Sequence, residues 1–195
     1  RGGMGSIANA LADAFKDHDG ELLTDAEVSQ IIVKRGRAKG VVLSNGDEYY
    51  AKNIVSNLDV KRTYQKLFDP KDLSEKVLKQ VDNFKIRGSS GKLNIALDGV
   101  PEFPALGKNN PLMYADMHFI DSLERMERAY DDWKNGRWSR DPYTDVLIPT
   151  MTDPTMSPPG KHYMSVFVQY APAKLATGAW TDKDRDAFGS TVIDQ

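Results

Sequence analysis

Short β-branched segments separated by turn residues fill the stretch from Val28 to Ser56, and this pattern constrains the fold more than any other feature. The residues Lys34-Arg35-Gly36-Arg37 turn the chain after the first segment, and Asn45-Gly46 is typical of a type I′ hairpin. The predicted strands are Val28–Val33, Ala38–Leu43, Glu48–Ala51 and Asn53–Ser56, the last two giving one or two short strands. Because strands joined by such short turns pair antiparallel, the sequence predicts a β-meander.

Apolar residues at helical spacing predict helices on both sides of this meander. The first helix carries its apolar face from Ile7 to Phe15 and stops at Asp19-Gly20. Two more are predicted after the meander, with apolar faces over Val60–Phe68 and Leu73–Phe84. A capping box of Asp121 and Glu124 is expected to begin a helix that ends at Gly136, and one of Thr181 and Asp184 is expected to begin the last helix. The predicted buried stripe of the helix after Asp121 is Leu123, Met126, Tyr130 and Trp133.

Strand-like segments alternate with these later helices, and a loop rich in Pro, Gly and Asn is predicted over residues 102–111. The predicted later strands are Lys92–Gly99, Leu112–Ile120, Tyr143–Pro149 and His162–Pro172. The order of elements predicts an α+β fold, in which a β-meander is followed by a mixed, largely antiparallel sheet flanked by helices.

Composition excludes several function classes. The 195 residues carry a net charge of -2, so the basic excess that drives nucleic-acid binding is missing. No cysteine is present, which excludes disulfides, thiolate metal sites and cysteine nucleophiles. No apolar run approaches the roughly 20 residues of a membrane span. The chain begins at Arg1 and stops while Phe188 and Val192 are still in helical register, so we expect it to be a piece of a longer protein.

Two glycine-rich stretches resemble nucleotide-binding or hydrolase motifs, but their residues do not have the spacing that those motifs require. Gly2, Gly3 and Gly5 do not follow G-x-G-x-x-G, and no strand precedes them in the chain, so a plain turn into a helix is favoured over a phosphate loop. The stretch Arg87–Leu93 lacks the first glycine and the hydroxyl residue of a P-loop, and it is one residue short of G-x-S-x-G. A turn before a strand is the favoured interpretation, and a hydrolase using Ser89 or Ser90 is a weaker hypothesis.

A metal site at Asp116, His118 and Asp121 is the remaining candidate constellation. With three histidines in the chain and no second one at ligand spacing, a strand histidine satisfied by hydrogen bonds is favoured over a metal ligand. We therefore predict no metal site, and the residues by themselves assign no catalytic group.

One long block of the sequence carries motifs that are more specific than its pattern of apolar residues and turns. Its features are Gly-Gly-Met-Gly at a helix start, a Gly20-Glu21 pair, Val-x-x-Ile in a strand, Gly-Arg-Ala-x-Gly-Val, Asn-Gly and a closing Val-Ser-Asn-x-Asp at residues 55–59. A later stretch reads Asp-Pro-Thr-x-x-Pro-Pro-Gly-Lys from Asp153 to Lys161. Together these motifs resemble the FAD-dependent oxidoreductases of the phytoene-desaturase type, and the resemblance covers most of the chain.

The resemblance implies an α/β flavoprotein fragment. Residues 1–58 would be the mid-sequence part of the FAD-binding domain, and residues 59–195 a substrate-binding domain truncated at its C-terminal helix. Carried over from the family motifs, Val28 would meet the adenine side of FAD, and Ser56, Asn57 and Asp59 would lie near the cofactor at the end of a return strand. The alternative for Val28 is an ordinary core strand residue. FAD is expected in the full-length protein and not on this fragment alone, because the Rossmann unit is expected upstream.

The function implied is a dehydrogenase or desaturase that transfers hydride from an apolar, isoprenoid- or carotenoid-like substrate to flavin, with the fragment itself inactive. The alternative is a non-catalytic binding or assembly module on the same scaffold. The expected partners are the apolar substrate and the missing Rossmann domain of the same polypeptide, with no nucleic acid; peripheral membrane contact and self-association stay open. The location is expected to be cytoplasmic or peripheral to a membrane. Seven residues either line a substrate tunnel or belong to the core: Met113, Tyr114, Met117, Phe119, Met164, Phe167 and Tyr170.

Overall fold

The computed structural model describes residues 1–107 and 110–195, which group into two compact units. One unit consists of residues 15–86, and the other of residues 1–14 together with 87–195. Positions 108 and 109 of the predicted loop lie outside the described residues. The boundary predicted between residues 58 and 59 concerns which part contacts cofactor and which part substrate, and it stays a prediction.

The unit of residues 15–86 is built on the predicted β-meander. Its strands β1 (Val28–Lys34), β2 (Arg37–Leu43) and β3 (Glu48–Tyr50) form an antiparallel sheet in that order. The type I′ turn lies at Arg35-Gly36, where both residues have positive φ (53° and 70°) and Lys34 pairs with Arg37. At the second turn Gly46 alone has positive φ, so the predicted type I′ geometry at Asn45-Gly46 is wrong although the hairpin forms.

The strand predicted over Asn53–Ser56 is not formed among the described residues. A strand is defined by pairing with a neighbour, and in the part of the chain that the structure describes none pairs with this segment. The helices predicted next are present as a π-helix over Arg62–Leu67 and as α2 over Glu75–Asn83. Ser74 caps α2 by accepting a hydrogen bond from the Val77 amide.

The other unit carries a four-stranded antiparallel sheet in the order β4-β7-β6-β5. Its strands are β4 (Ser90–Leu97), β5 (Met117–Phe119), β6 (Tyr143–Leu147) and β7 (His162–Gln169). The strand predicted over Leu112–Ile120 is reduced to β5, since Pro111–Tyr114 forms a 3₁₀ turn capped by the Asn110 side chain. One face of this sheet is buried and the opposite face is open among the described residues.

The buried face packs against α4 (Asp182–Ile193), whose predicted capping box of Thr181 and Asp184 is present. Phe188 and Val192 point from this helix into the core. The Phe188 ring lies edge-on to Trp138 and Trp180, with centroids 6.1 and 5.7 Å away. The core also holds Val146, Val166, Val168 and Ala171.

The packing of α4 explains why the Arg87–Leu93 stretch has a glycine at position 91. A Cβ atom at this position would lie 2.5 Å from the Phe188 ring, so the strand needs a glycine where α4 crosses it. Its role is therefore one of packing, in agreement with the interpretation of a turn followed by a strand.

Two local predictions about α3 (Leu123–Lys134) are wrong. Its N-cap is Ser122, whose hydroxyl accepts from the Arg125 amide, rather than Asp121. The buried residue is Ala129, whereas Leu123 of the predicted stripe is 79% exposed. Among the described residues of α3, Ala129 is the buried one, so the predicted stripe is not the buried side of this helix.

The first helix, α1 (Gly5–Asp17), forms as predicted, and none of its described residues is buried. Its apolar residues Ile7, Leu11 and Phe15 are all more than half exposed. No helix among the described residues is both long and apolar enough to cross a membrane.

Candidate functional site

A cavity of about 630 Å³ opens beside the meander in the unit of residues 15–86. Strand β1 contributes Val28 and Ile31 to its wall, and the unpaired segment Ile54–Leu58 forms another side. Its volume is within the range of small-molecule and cofactor clefts. The remaining lining residues are Glu27, Val41, Arg62, Lys66 and Leu67.

Three of the four residues implied by the family motifs line this one cavity. Val28 lies at the start of β1, and Ser56 and Asn57 lie in the unpaired segment nearly 30 positions later in the sequence. Asp59 lies just beyond the lining, where its carboxylate accepts a hydrogen bond from the Arg62 amide (2.9 Å). The fold of this unit therefore brings together residues that the sequence keeps far apart.

The side chains of Ser56 and Asp59 also have structural partners. The Ser56 hydroxyl is 2.9 Å from that of Thr63, which is buried. Asp59 pairs with the Arg62 guanidinium at 3.3 Å, an exposed contact that adds little stability by itself. These bonds fix how the Ile54–Leu58 segment enters the π-helix, and so they fix the backbone that walls the cavity.

Two cations at the cavity were missed by the sequence analysis. Arg62 and Lys66 are four residues apart on the π-helix, and both line the cavity. The signal available in the sequence was Asp59 three residues ahead of Arg62, a spacing typical of a helix N-cap followed by its first turn. With Glu27 at the same cavity, the site combines an apolar wall with both signs of charge.

This donor set suits a flavin nucleotide. An aromatic base needs apolar walls such as those of Val28, Ile31 and Val41, and phosphate oxygens need cationic donors such as Arg62 and Lys66. The amide side chain of Asn57 offers both a donor and an acceptor for a ring or ribose group.

The opening glycines bind an anion that belongs to the chain itself. The amides of Gly2 and Gly3 donate to one carboxylate oxygen of Asp153, at 2.8 and 3.2 Å. Hydrogen bonds from Thr155 and from these two glycine amides lower the pKa of Asp153 to about 2. The two motifs quoted for the resemblance, at residues 2–5 and 153–161, thus meet within one unit.

The open face of the four-stranded sheet carries a second polar cluster. On this face His118 of β5 lies opposite Asp145 of β6, and the Tyr143 phenol oxygen is 2.7 Å from His118 Nδ1. Asp145 Oδ1 contacts the same nitrogen as an ion pair, without the alignment of a hydrogen bond. A hydrogen bond to Asp145, together with partial burial, raises the pKa of Tyr143 to about 12.

The metal hypothesis at Asp116, His118 and Asp121 receives no support from this geometry. Asp116 Oδ2 is 3.8 Å from His118 Nε2, and the other ring nitrogen is engaged by Asp145. Within residues 1–107 and 110–195, no group of three or more His, Cys, Asp and Glu side chains is arranged to hold a metal ion. In the same ranges, no hydrogen bond joins the hydroxyl of Ser89 or Ser90 to a histidine.

Most of the seven residues considered for a substrate tunnel pack in or against the core. Met113 is buried, and Met117, Phe119 and Met164 pack on the buried sheet face. Phe167 is on the open face and 39% exposed. Tyr114 is exposed, and Tyr170 joins an aromatic group with Tyr130 and Trp133.

Comparison with known proteins relates this geometry to a family. Residues 1–188 match the family described as flavin containing amine oxidoreductase. The chain is 29% identical to the mouse (Mus musculus) pyridine nucleotide-disulfide oxidoreductase domain-containing protein 2, over 100% of this chain and 35% of that protein. It is 35% identical to the chloroplastic prolycopene isomerase of Daucus carota, over 85% of this chain and 24% of the isomerase.

A bacterial relative and a solved structure agree with these matches. The neurosporene-forming phytoene desaturase of Rhodobacter capsulatus is 32% identical, over 82% of this chain and 29% of that enzyme. The crystal structure of an oxidoreductase from Methanosarcina mazei aligns with a TM-score of 0.59 at 20% identity, over 96% of this chain and 36% of that one, which shows a shared fold. The chain therefore spans about a third or less of the length of these relatives.

Proposed function

The chain belongs to the flavin containing amine oxidoreductase family, and on that premise we propose that it is the middle region of an FAD-dependent oxidoreductase acting on an apolar, carotenoid-like substrate. Residues around the meander hold part of the FAD, and the four-stranded sheet belongs to the part of the protein that receives the substrate. When bound, oxidised flavin supplies the hydride acceptor, a chemistry that no amino-acid side chain provides.

The observation that carries the proposal is the convergence of Val28, Ser56 and Asn57 on one cavity. These residues come from two segments that the family motifs assign to the cofactor. In this proposal Val28 packs against an aromatic ring, and Asn57 hydrogen-bonds a polar edge of the cofactor. Arg62 and Lys66 neutralise phosphate oxygens, as cationic side chains do at nucleotide sites.

The substrate class rests on the names of the relatives and on the open sheet face. The relatives include a prolycopene isomerase and a phytoene desaturase, and Phe167 and Leu147 are both exposed on the open face. Exposed large apolar side chains that share one face are typical of a surface that binds an apolar molecule. This chain's part is to bind and orient such a substrate and to exclude water from it.

The test uses the full-length protein. It is purified without added flavin, its absorption spectrum is recorded, and it is mixed without oxygen with vesicles containing phytoene or prolycopene. We expect a flavin spectrum that is bleached by one of these polyenes. Absence of flavin even after incubation with excess FAD would refute the proposal and favour a non-catalytic binding or assembly module on the same scaffold.

A further inference from the structure

We propose that His118 is the general base of this oxidoreductase: its Nε2 accepts the proton that the substrate loses as hydride leaves, and Asp145 and Tyr143 hold the imidazole ready. The inference rests on the proposed function for its redox step. It stands on the geometry of the cluster on the open sheet face.

The cluster is built by strand pairing. His118 and Asp145 face each other across β5 and β6, and Tyr143 is two residues before Asp145 on the same face. The rings of His118 and Tyr143 stack with centroids 5.9 Å apart and planes 17° from parallel. Asp145 is mostly buried, with 18% of its side chain exposed, while 49% of the His118 side chain is exposed.

The contacts of Nδ1 determine which nitrogen carries the proton. An ionised carboxylate only accepts, so Asp145 against Nδ1 requires a proton on that nitrogen. The Tyr143 phenol keeps its own proton because its pKa is raised by Asp145, and its oxygen, 2.7 Å from Nδ1, serves as a second acceptor. Neutral His118 therefore presents a lone pair at Nε2, as a histidine oriented by an aspartate does in hydrolytic triads.

Among the described residues, Nε2 has no hydrogen-bond partner, whereas Nδ1 has one. The Asp116 carboxylate is 3.8 Å from Nε2, too far for a hydrogen bond. Phe167 lies directly opposite Asp145 on β7, and Leu147 follows Asp145 on the same face of β6. Phe167 and Leu147 are both exposed, so an apolar molecule lying on them would share the open sheet face with His118 and its paired carboxylate.

The proton transfer completes a balanced desaturation. When bound, oxidised flavin would accept a hydride ion (one proton with two electrons) from one carbon of the substrate. The adjacent carbon gives its proton to His118 Nε2, and the electron pair of that C–H bond forms the new C=C bond. The imidazolium then returns the proton to water. A positioned base of this kind contributes about 100-fold or more to the rate.

The first test does not depend on substrate or flavin. The full-length protein is treated near neutral pH with diethyl pyrocarbonate, which acylates the lone-pair nitrogen of neutral histidine, and each histidine is followed by peptide mass spectrometry. His118 is expected to react several-fold faster than exposed His18, and Asp145→Asn is expected to abolish this difference. The matched variant Asp121→Asn is expected to leave the difference intact. Equal reactivity of His118 and His18 in the wild type would overturn the proposal.

The second test measures flavin reduction by phytoene in vesicles. His118→Ala is expected to slow reduction about 100-fold with unchanged flavin content, and added imidazole is expected to restore part of the rate, which a merely structural role would not allow. His18→Ala is the control and keeps the wild-type rate. A wild-type rate in His118→Ala would refute the role of His118 as general base and leave the proposed function standing. A wild-type protein that is not reduced by the polyene counts against the proposed substrate, and the acylation experiment still decides whether His118 is an oriented base.

Discussion

At the scale of single residues, the turn at Gly2 and Gly3 shows how an anion-binding motif can serve the fold. Both glycines have positive φ (100° and 70°), and their amides point at Asp153 in place of a phosphate. Spacing alone predicted a turn into a helix. The carboxylate that satisfies the turn, 150 positions away, could not be identified from sequence because nothing local pairs the two motifs.

Replacement of Gly3 by alanine tests this turn. Gly3 has a φ of +70°, and a Cβ atom would lie 3.3 Å from the Met156 side chain, so Gly3→Ala is expected to destabilise its unit by about 1–2 kcal/mol. A Cβ atom at Gly5, the first residue of α1, would meet no described atom within 4 Å beyond its neighbours in the chain and helix, so Gly5→Ala is expected to be neutral or stabilising by up to about 1 kcal/mol. Urea unfolding of both variants measures the two effects, and equal changes would contradict the account.

Asp153 predicts a specific dependence of stability on pH. The pKa of Asp153 is lowered from 3.8 to about 2 in the folded state. The stability that its ionised carboxylate contributes is therefore fully present at pH values above the ordinary pKa of 3.8. That contribution is lost as the pH falls from about 4 through about 2. The difference in unfolding midpoint between the wild type and Asp153→Asn is therefore expected to be constant above pH ~5 and to shrink below pH ~4. A difference that grows in acid would refute the assignment.

At the scale of elements, the sequence pattern predicted the strands, turns and helix caps that depend on residues close together in the chain. The meander, the two-residue turn after β1, strands β4, β6 and β7, and the capping box of α4 all follow from periodicity and turn residues. The predictions failed where the structure of a segment depended on which other residues it pairs with or caps in the fold. The Asn53–Ser56 segment has strand composition but no described strand pairs with it, and Ser122 takes the cap of α3 one residue after Asp121.

The packing of α4 on the sheet gives an element-scale prediction. Phe188 is 6% exposed, lies edge-on to two stacked tryptophans and fills the space that Gly91 leaves open. Phe188→Ala should therefore destabilise this unit by about 3–5 kcal/mol. Ile193 of the same helix is 66% exposed, and Ile193→Ala should change stability by less than about 0.5 kcal/mol. Thermal unfolding of the two variants checks the contrast, and similar losses would mean that the helix is held in another way.

At the scale of the whole molecule, the residues proposed to bind cofactor came from family motifs rather than from physical pattern. Val28, Ser56 and Asn57 carry no chemistry that marks them in the sequence, and their convergence depends on the path of the chain after the meander. The cations Arg62 and Lys66 were missed because a helical repeat does not reveal which of its faces borders a cavity. Likewise, the strand pairing of His118 with Asp145 is a long-range contact that no local signal reports.

The affinity of the full-length protein for FAD reports directly on whether the cavity beside the meander holds part of the cofactor. Apoprotein is titrated with FAD by fluorescence, comparing Lys66→Ala, which removes a lining cation, with Lys76→Ala, which removes a lysine of α2 outside the lining. Lys66→Ala is expected to weaken binding about tenfold, which corresponds to about 1.4 kcal/mol, while Lys76→Ala is expected to bind FAD as the wild type does. Identical dissociation constants for both variants and the wild type would contradict this expectation.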